Sequence, residues 1–345
     1  MKASVFHQHG GPEVLKYEDV PEPGPGPHDV VIQVKASGCN YNDLWARQGL
    51  PGMKFDLPHI SGSDAAGVVT QVGSAVTSVK AGQEVVVHPA LSCRICEACT
   101  RGQEYFCRQF KIWGFQTGPL DGGHAEYARI PEANAIPKPA NLSWEEAASL
   151  PLVLLTTWHM LVTRARLLPG EDVLIWGAGS GIGSIAIQIA KLMGARVIGV
   201  AGSDAKLEKA KALGANHVLN HSSQDVVSEV RKITNRKGVE LVFEHVGQAT
   251  WERSIAAMAW GGRLVICGNT TGFEAKTDLR LLFNKQLSLL GSHQGSKAEL
   301  LEALRLVEAG RIRPVVDRVL PLKDAAEAQR VMENRAQFGK LVLVP

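Results

Sequence analysis

Residues Asp172–Val200 read DVLIWGAGSGIGSIAIQIAKLMGARVIGV, and this stretch decides the fold. Val173–Trp176 is a short apolar run of strand character. A turn carrying Gly177, Gly179, Gly181 and Gly183 follows, then a helical pattern, then a second apolar run at Arg196–Val200. In the helix Ile182, Ile185, Ile189 and Met193 recur at helical spacing, and Ala186 and Ala190 are small enough to pack closely on a sheet. Glycines at such a turn let the backbone bend sharply and approach a pyrophosphate, whose charge then meets the positive end of the helix. The unit has about the ~30 residues of a βαβ dinucleotide-binding fingerprint, with the turn after a strand and before a helix as that fingerprint requires. Gly177, Ala178, Gly179, Ser180, Gly181, Ile182 and Gly183 are therefore the expected cofactor-binding turn.

The chain has 345 residues, enough for two domains each with its own core. Its 45% hydrophobic and 21% charged residues are those of an ordinary water-soluble protein. A formal charge of +3 without a basic tract points away from nucleic acid or an anionic membrane as partner. No apolar run reaches the roughly 20 residues of a membrane span, and Met1–Gly11 lacks the apolar core of a secretory signal. The expectation is a reducing, cytoplasmic setting, in which clustered cysteines read as metal ligands before disulfides.

Outward from the glycine turn, the two sides differ. Towards the N-terminus lie strand patterns at Val30–Gly38, Ala66–Gly73 and Glu84–Pro89, with Pro21–Pro27 as a rigid bend. Near Ser143–Leu150 the pattern turns helical, and Ser143 with Glu146 forms a capping box. From about Leu154 to His293 strands and helices alternate: helix Asp204–Leu213, strand HVLN, helix Asp225–Asn235, strand VELVFEHVG, helix Thr250–Trp260, strand RLVICG and strand QLSLLGS. Such alternation implies an α/β doubly wound parallel sheet. Beyond Ser296 come an amphipathic helix with Leu300, Leu301, Leu304 and Val307, a helix Lys323–Asn334, and a closing strand KLVLV expected to return to the N-terminal part.

Cys93, Cys96, Cys99 and Cys107 have the spacing C-x2-C-x2-C-x7-C in a stretch without periodicity. Four thiolates so spaced match an all-cysteine structural zinc site, which supplies folding energy where no apolar core exists. Cys39 and Cys267 stand alone and read as small buried hydrophobes.

The glycine-rich unit, the four-cysteine lobe and the β-rich N-terminal part occur in this order with GSDAAGVVTQVG (Gly62–Gly73), DGGHAEY (Asp121–Tyr127) and FGKLVL (Phe338–Leu343). The chain thereby resembles the medium-chain dehydrogenases/reductases over essentially its whole length. The resemblance implies a GroES-like β-rich catalytic domain at 1–153 and 294–345, with the zinc lobe at 90–110, and a Rossmann domain at 154–293. It places the active site in the cleft between them, and adds Val246, Gly268, Gly291 and Lys340 as cofactor contacts. It also implies a homodimer or homotetramer, paired through the sheet edge near Gln286–Ser292.

The departures from the zinc alcohol dehydrogenases carry the functional reading. Where those enzymes have a zinc-binding cysteine in a segment like TGxCHTDL, this chain has SGCNYNDL (Ser37–Leu44), with Asn40 in register and Cys39 one residue before it. Their GHE motif is Gly62-Ser63-Asp64 here, and their second cysteine falls near Leu152. An amide, a hydroxyl and an alkyl group cannot hold zinc tightly. The pattern N-Y-x-D with G-x-D-x-A-G resembles the zinc-free quinone oxidoreductase and enoyl reductase branch. Asn40 and Tyr41 are then the candidate catalytic donors and Asp43 a structural carboxylate. His59, His88, His124 and His159 lack partners at metal spacing and read as packed residues.

The second Rossmann strand ends at Ala201, where an NAD enzyme usually has Asp or Glu on the ribose 2′-OH. Ser203 and Lys206 offer a donor and a cation for a 2′-phosphate, with Asp204 left as a helix cap. His221 falls where related NADPH reductases have a tyrosine on that phosphate. The expected activity is an NADP(H)-dependent, zinc-free reduction of a quinone, enone or enoyl thioester. Two alternatives stay open: an alcohol dehydrogenase in which a one-residue bulge brings Cys39 to a metal, and a dinucleotide binder without catalysis.

Overall fold

Alternating apolar residues make Asp29–Gly38 the long strand on which the first unit is built. In the computed structural model, which describes residues 1–116 and 120–345, it pairs antiparallel with Asp64–Val72 on one side, Val30 opposite Val72 and Ile32 opposite Val69. Tyr127–Pro131 also pairs with it, and so does the closing strand Lys340–Val344, Val342 opposite Gly38 and Leu343 opposite Ser37. The C-terminus thus returns to this sheet, which runs in the order Ala135–Pro137, Glu84–Val87, Asp64–Val72, Asp29–Gly38, Lys340–Val344, Val316–Pro321. Val30, Ile32, Val34, Val69, Val85, Val87, Trp113, Ala128 and Ile130 form its core. Ser143 and Glu146 close the capping box on Trp144–Ala148 in both directions.

The second unit is a six-stranded parallel sheet in the order His217–Asn220, Arg196–Ala201, Asp172–Ile175, Val239–Glu244, Met258–Ile266, Ser288–Gly291. This is a doubly wound order, with its switch point between Arg196–Ala201 and Val239–Glu244, on either side of Asp172–Ile175. The helix Gly181–Leu192 buries Ile185 and Ile189, as the spacing predicts, and also Ile187. Leu174, Trp176, Ile198, Val200, Leu219, Val226, Val230, Val242, Ile255 and Leu264 fill the core on one face of the sheet.

Met1–Leu152, Ser296–Glu308 and Pro314–Pro345 make up the first unit, and Val153–Gly295 with Ala309–Arg313 the second. The changes of unit fall at 152/153 and 295/296, with a short excursion at Ala309–Arg313. Three local details differ from the sequence reading. The helix expected over Thr250–Trp260 ends at Ala257, and the following strand begins at Met258. Here Gly261 and Gly262 end helical propensity early, and the chain is already extended before them. His159–Arg164 is π-helical, a geometry without a periodic signature. Asp204 is not the cap of its helix: Ser203 occupies the N-cap, and the Asp204 carboxylate accepts from Asn220 Nδ2 at 2.8 Å. Among the described residues no helix is long and apolar enough to cross a membrane.

Candidate functional site

The four cysteines of the lobe come together. Their sulfurs all lie within 4.8 Å of one another, with Cys96–Cys99 and Cys107–Cys93 at 3.5 Å and Cys93–Cys99 at 3.9 Å. A tetrahedral ion with metal–sulfur bonds of ~2.3 Å has edges of about 3.8 Å, so the residues present fit zinc. Amides of Ile95 and Cys96 aimed at Cys93 pull its thiol down to about 6, which favours the thiolate a metal needs. Arg94 anchors the lobe by donating to Asn134 Oδ1 at 2.8 Å, and Asn134 Nδ2 in turn donates to the His88 and Ala90 carbonyls.

Two of the substituted ligand positions, Asn40 and Leu152, converge on a carboxylate. Asp64 is fully buried. One of its oxygens accepts the Leu152 amide at 2.7 Å, the other Asn40 Nδ2 at 2.8 Å and the Lys340 ammonium at 3.1 Å. Lys340 Nζ also donates to Asn40 Oδ1 at 2.5 Å, and Asn42 Nδ2 donates to Ser63 Oγ at 2.7 Å. Beside this group Asp43 accepts the Asn40 amide at 2.7 Å and the Gly62 amide at 3.1 Å. Burial nevertheless pushes its carboxyl up to about 7. Asp43 is thus a buried, hydrogen-bonded carboxylate.

Asn40 and Tyr41 have different surroundings. The Asn40 amide spends its donors on Asp64 and the Gly38 carbonyl and its acceptor on Lys340, so it positions the lysine. Tyr41 packs edge-on against Trp45 at 5.3 Å and joins a cluster with Leu44, Leu322, Ala328 and Met332. Burial raises its phenol pKa, partly offset by Arg335. Cys39 lies in that same apolar cluster, and burial raises its thiol far above the usual range. Such a thiol is not a ready metal ligand. His88 and His124 are buried and pushed down to about 3. His59 sits against Phe6 and Phe55, and His159 is also buried.

In the second unit the glycine turn is shaped by two close approaches. Gly177 has φ +57°, and a Cβ there would lie 2.7 Å from the His245 ring. A Cβ on Gly183 would lie 2.2 Å from the Gly177 carbonyl oxygen. Ser180 caps the helix, its hydroxyl accepting the Gly183 amide at 2.9 Å. A turn this closely packed, opening a twelve-residue helix, fits a dinucleotide pyrophosphate. The Val246 loop is held by Glu244, which sequence reasoning passed over. One oxygen of Glu244 accepts the amides of His245, Val246 and Gly247, and the other the hydroxyls of Thr250 and Ser254. Ser203 makes no capping bond with its hydroxyl, and a Cβ on Gly202 would meet His221 Nε2 at 3.0 Å. Lys206 is on the first turn of the same helix. Gly268 follows the fifth strand of this sheet, and Gly291 ends the sixth, with open space where a Cβ would be. The expected cofactor residue Lys340 belongs to the first unit.

Two family models match the chain: an alcohol dehydrogenase GroES-like domain over residues 26–140 and a zinc-binding dehydrogenase domain over 181–309. The chain belongs to the medium-chain dehydrogenase/reductase superfamily. Within that superfamily it is 35% identical to the crotonyl-CoA carboxylase/reductase of Cereibacter sphaeroides, over 98% of this chain and 85% of that protein. It is 33% identical to quinone oxidoreductase 1 of Escherichia coli, over 99% and 98% respectively. Among solved structures, an NAD-dependent alcohol dehydrogenase superposes with a TM-score of 0.96 at 47% identity, covering both chains fully. The crotonyl-CoA carboxylase/reductase AntE in complex with NADP gives 0.90 at 30% identity, covering 100% of this chain and 94% of that one. The GroES-like and Rossmann architecture is that of the superfamily, and its relatives here are oxidoreductases.

Proposed function

We propose that this superfamily member is an NADPH-dependent reductase of activated double bonds or quinones that works without a catalytic zinc. The supporting observation is the donor set around Asp64. An amide, a hydroxyl and an alkyl side chain replace soft ligands, the Asn40 amide, the Leu152 N–H and the Lys340 ammonium lie on the Asp64 carboxylate, and the nearby thiol is sequestered in an apolar cluster. These residues do not fit a zinc ion. The crotonyl-CoA and quinone-reducing relatives agree with that chemistry, and the alcohol dehydrogenase relatives mark the competing reading.

NADPH, when bound, supplies a hydride to the β-carbon of an α,β-unsaturated carbonyl or to a quinone. Negative charge then develops on the carbonyl oxygen, and donors must stabilise the enolate. A delocalised enolate suits hydrogen-bond donors better than a localised alkoxide does, whereas alcohol oxidation relies on a metal to lower the alcohol's pKa. Asn40 serves by holding Lys340, whose ammonium keeps a positive field beside the group and one further N–H. Tyr41, kept protonated by its raised pKa, is the donor that returns a proton to the α-carbon. Ser203, Lys206 and His221 favour the 2′-phosphate of NADPH. The lobe of Cys93, Cys96, Cys99 and Cys107 holds one structural zinc.

With an enone and an alcohol panel, the expected result is enone reduction with a larger kcat/KM for NADPH than for NADH. Tyr41→Phe should lower kcat by about tenfold, with NADPH binding little changed. Brisk oxidation of simple alcohols, with Tyr41→Phe as fast as wild type, would favour the alcohol dehydrogenase. No turnover of either class would favour a pure dinucleotide binder. We further propose a homodimer or homotetramer paired at the edge strand Ser288–Gly291, where Leu279 and Phe283 of the preceding helix are two-thirds exposed. Light scattering that returns a monomer mass at working concentration would rule this out.

A further inference from the structure

The observation lies beyond the glycine turn, around the end of the strand Arg196–Ala201. The Arg253 guanidinium lies over the indole of Trp176, 5.0 Å from the ring centroid. The Trp176 ring lies 6.5 Å from that of His221, and the His221 ring lies against Gly202, with Nε2 3.0 Å from where a Cβ would be. Gly202 leads into Ser203, whose hydroxyl is not spent on capping. Arg253 and His221 thus both lie by Trp176, and His221 also lies against Gly202, the neighbour of Ser203, beyond the second strand, where this fold recognises a dinucleotide's ribose.

We propose that Arg253 is a specificity-determining residue for a 2′-phosphorylated dinucleotide, its guanidinium taking the 2′-phosphate together with Ser203 and His221. This rests on the NADP(H) reading above and deepens it. An arginine suits the task because its planar fork matches phosphate oxygens and its face stacks on an aromatic ring. Here the fork is set before any ligand arrives. The indole covers one face, and Nη2 donates to the Ala249 carbonyl at 2.7 Å. The helix that carries it, Trp251–Ala257, is fixed at its start by Glu244, which takes the hydroxyls of Thr250 at 2.8 Å and Ser254 at 2.7 Å. Asp225 is the carboxylate close enough to feel Arg253, but it is committed to its own helix cap, accepting the Ser228 amide at 2.7 Å. Arg231, also close to Asp225, adds positive charge on that side. The cation is therefore held in place, and no bidentate carboxylate partner is seen for it among the described residues.

The test compares binding of 2′,5′-ADP and 5′-AMP, which differ only in the 2′-phosphate, by calorimetry on the full chain. Wild type is expected to prefer 2′,5′-ADP. Arg253→Met, which keeps an unbranched stem over the indole, should weaken 2′,5′-ADP by about 10- to 100-fold, the range of a lost charged hydrogen bond. It should leave 5′-AMP within about twofold, and Arg253→Lys should recover part of the loss. If wild type prefers 2′,5′-ADP and Arg253→Met keeps that preference, the assignment of Arg253 is wrong while the NADP(H) reading stands. Equal weakening of both ligands would make Arg253 a structural residue and also overturn the proposal. A wild type that binds the two ligands equally would refute the NADP(H) reading itself. Should Arg253→Met fail to fold, the same comparison on Arg253→Lys decides, with a selective loss for 2′,5′-ADP expected and an equal loss overturning.

Discussion

Asp64→Ala is expected to destabilise the first unit by about 3–5 kcal/mol, the cost of leaving one member of a buried ion pair without its partner. The carboxylate is fully buried and Lys340 is 5% exposed. Removing it would strand the Lys340 ammonium on the single acceptor Asn40 Oδ1 and orphan the Leu152 amide. It would also release the Asn40 side chain from one of its two acceptors. Because the partners come from three separate stretches of chain, the loss loosens the sheet pairing of Asp29–Gly38 with the closing strand as well. The check is a shift of the urea unfolding midpoint at unchanged slope. The double variant Asp64→Ala/Lys340→Met should recover part of the loss, because the stranded charge goes with its carboxylate. A single variant within about 1 kcal/mol of wild type, the scale of an exposed pair, would show that the pair is not the tie described here.

The same cluster shows how far the sequence could be read. The ligand positions Asn40, Ser63 and Leu152 were visible as departures from a motif. The grouping of Asn40, Leu152 and Lys340 around Asp64 was not, because Asn40 and Lys340 are 300 residues apart and only the closing strand joins them. Side-chain direction was equally hidden. Asn40 and Tyr41 are neighbours in sequence, yet one belongs to a polar network and the other to the apolar cluster on Ala325–Glu333. The Rossmann unit was legible almost entirely, since strand and helix periods alternate cleanly from Asp172 to Glu244. The proposed nucleotide-binding rim was legible only in part. Ser203, Lys206 and His221 follow strand ends, where a motif points. Arg253 is on a helix, and only its stacking on Trp176 marks it.

Loss of metal is expected to unfold the cysteine lobe while sparing the rest of the chain. From Cys93 to Cys107 the backbone holds only a four-residue helix and a three-residue 3-10 turn. Ile95 is 84% and Phe106 61% exposed, so no apolar core is available to fix the loop. Four thiolates gathered within 4.8 Å would repel one another without a cation to bind. Folding energy here must come from the metal. Dialysed wild-type protein should carry about one zinc per chain, and Cys107→Ser, which removes the buried ligand, should carry close to none. Arg94, Arg101 and Arg108 lie exposed in and beside the lobe, so trypsin should cut there far faster in the variant or after chelation than in wild type. The second unit should keep its helical signal and its nucleotide binding throughout, because none of its residues contributes a sulfur. Two tightly bound zinc ions per wild-type chain would contradict the single closed site. Equal trypsin resistance with and without metal would show instead that the loop holds its shape by protein contacts alone.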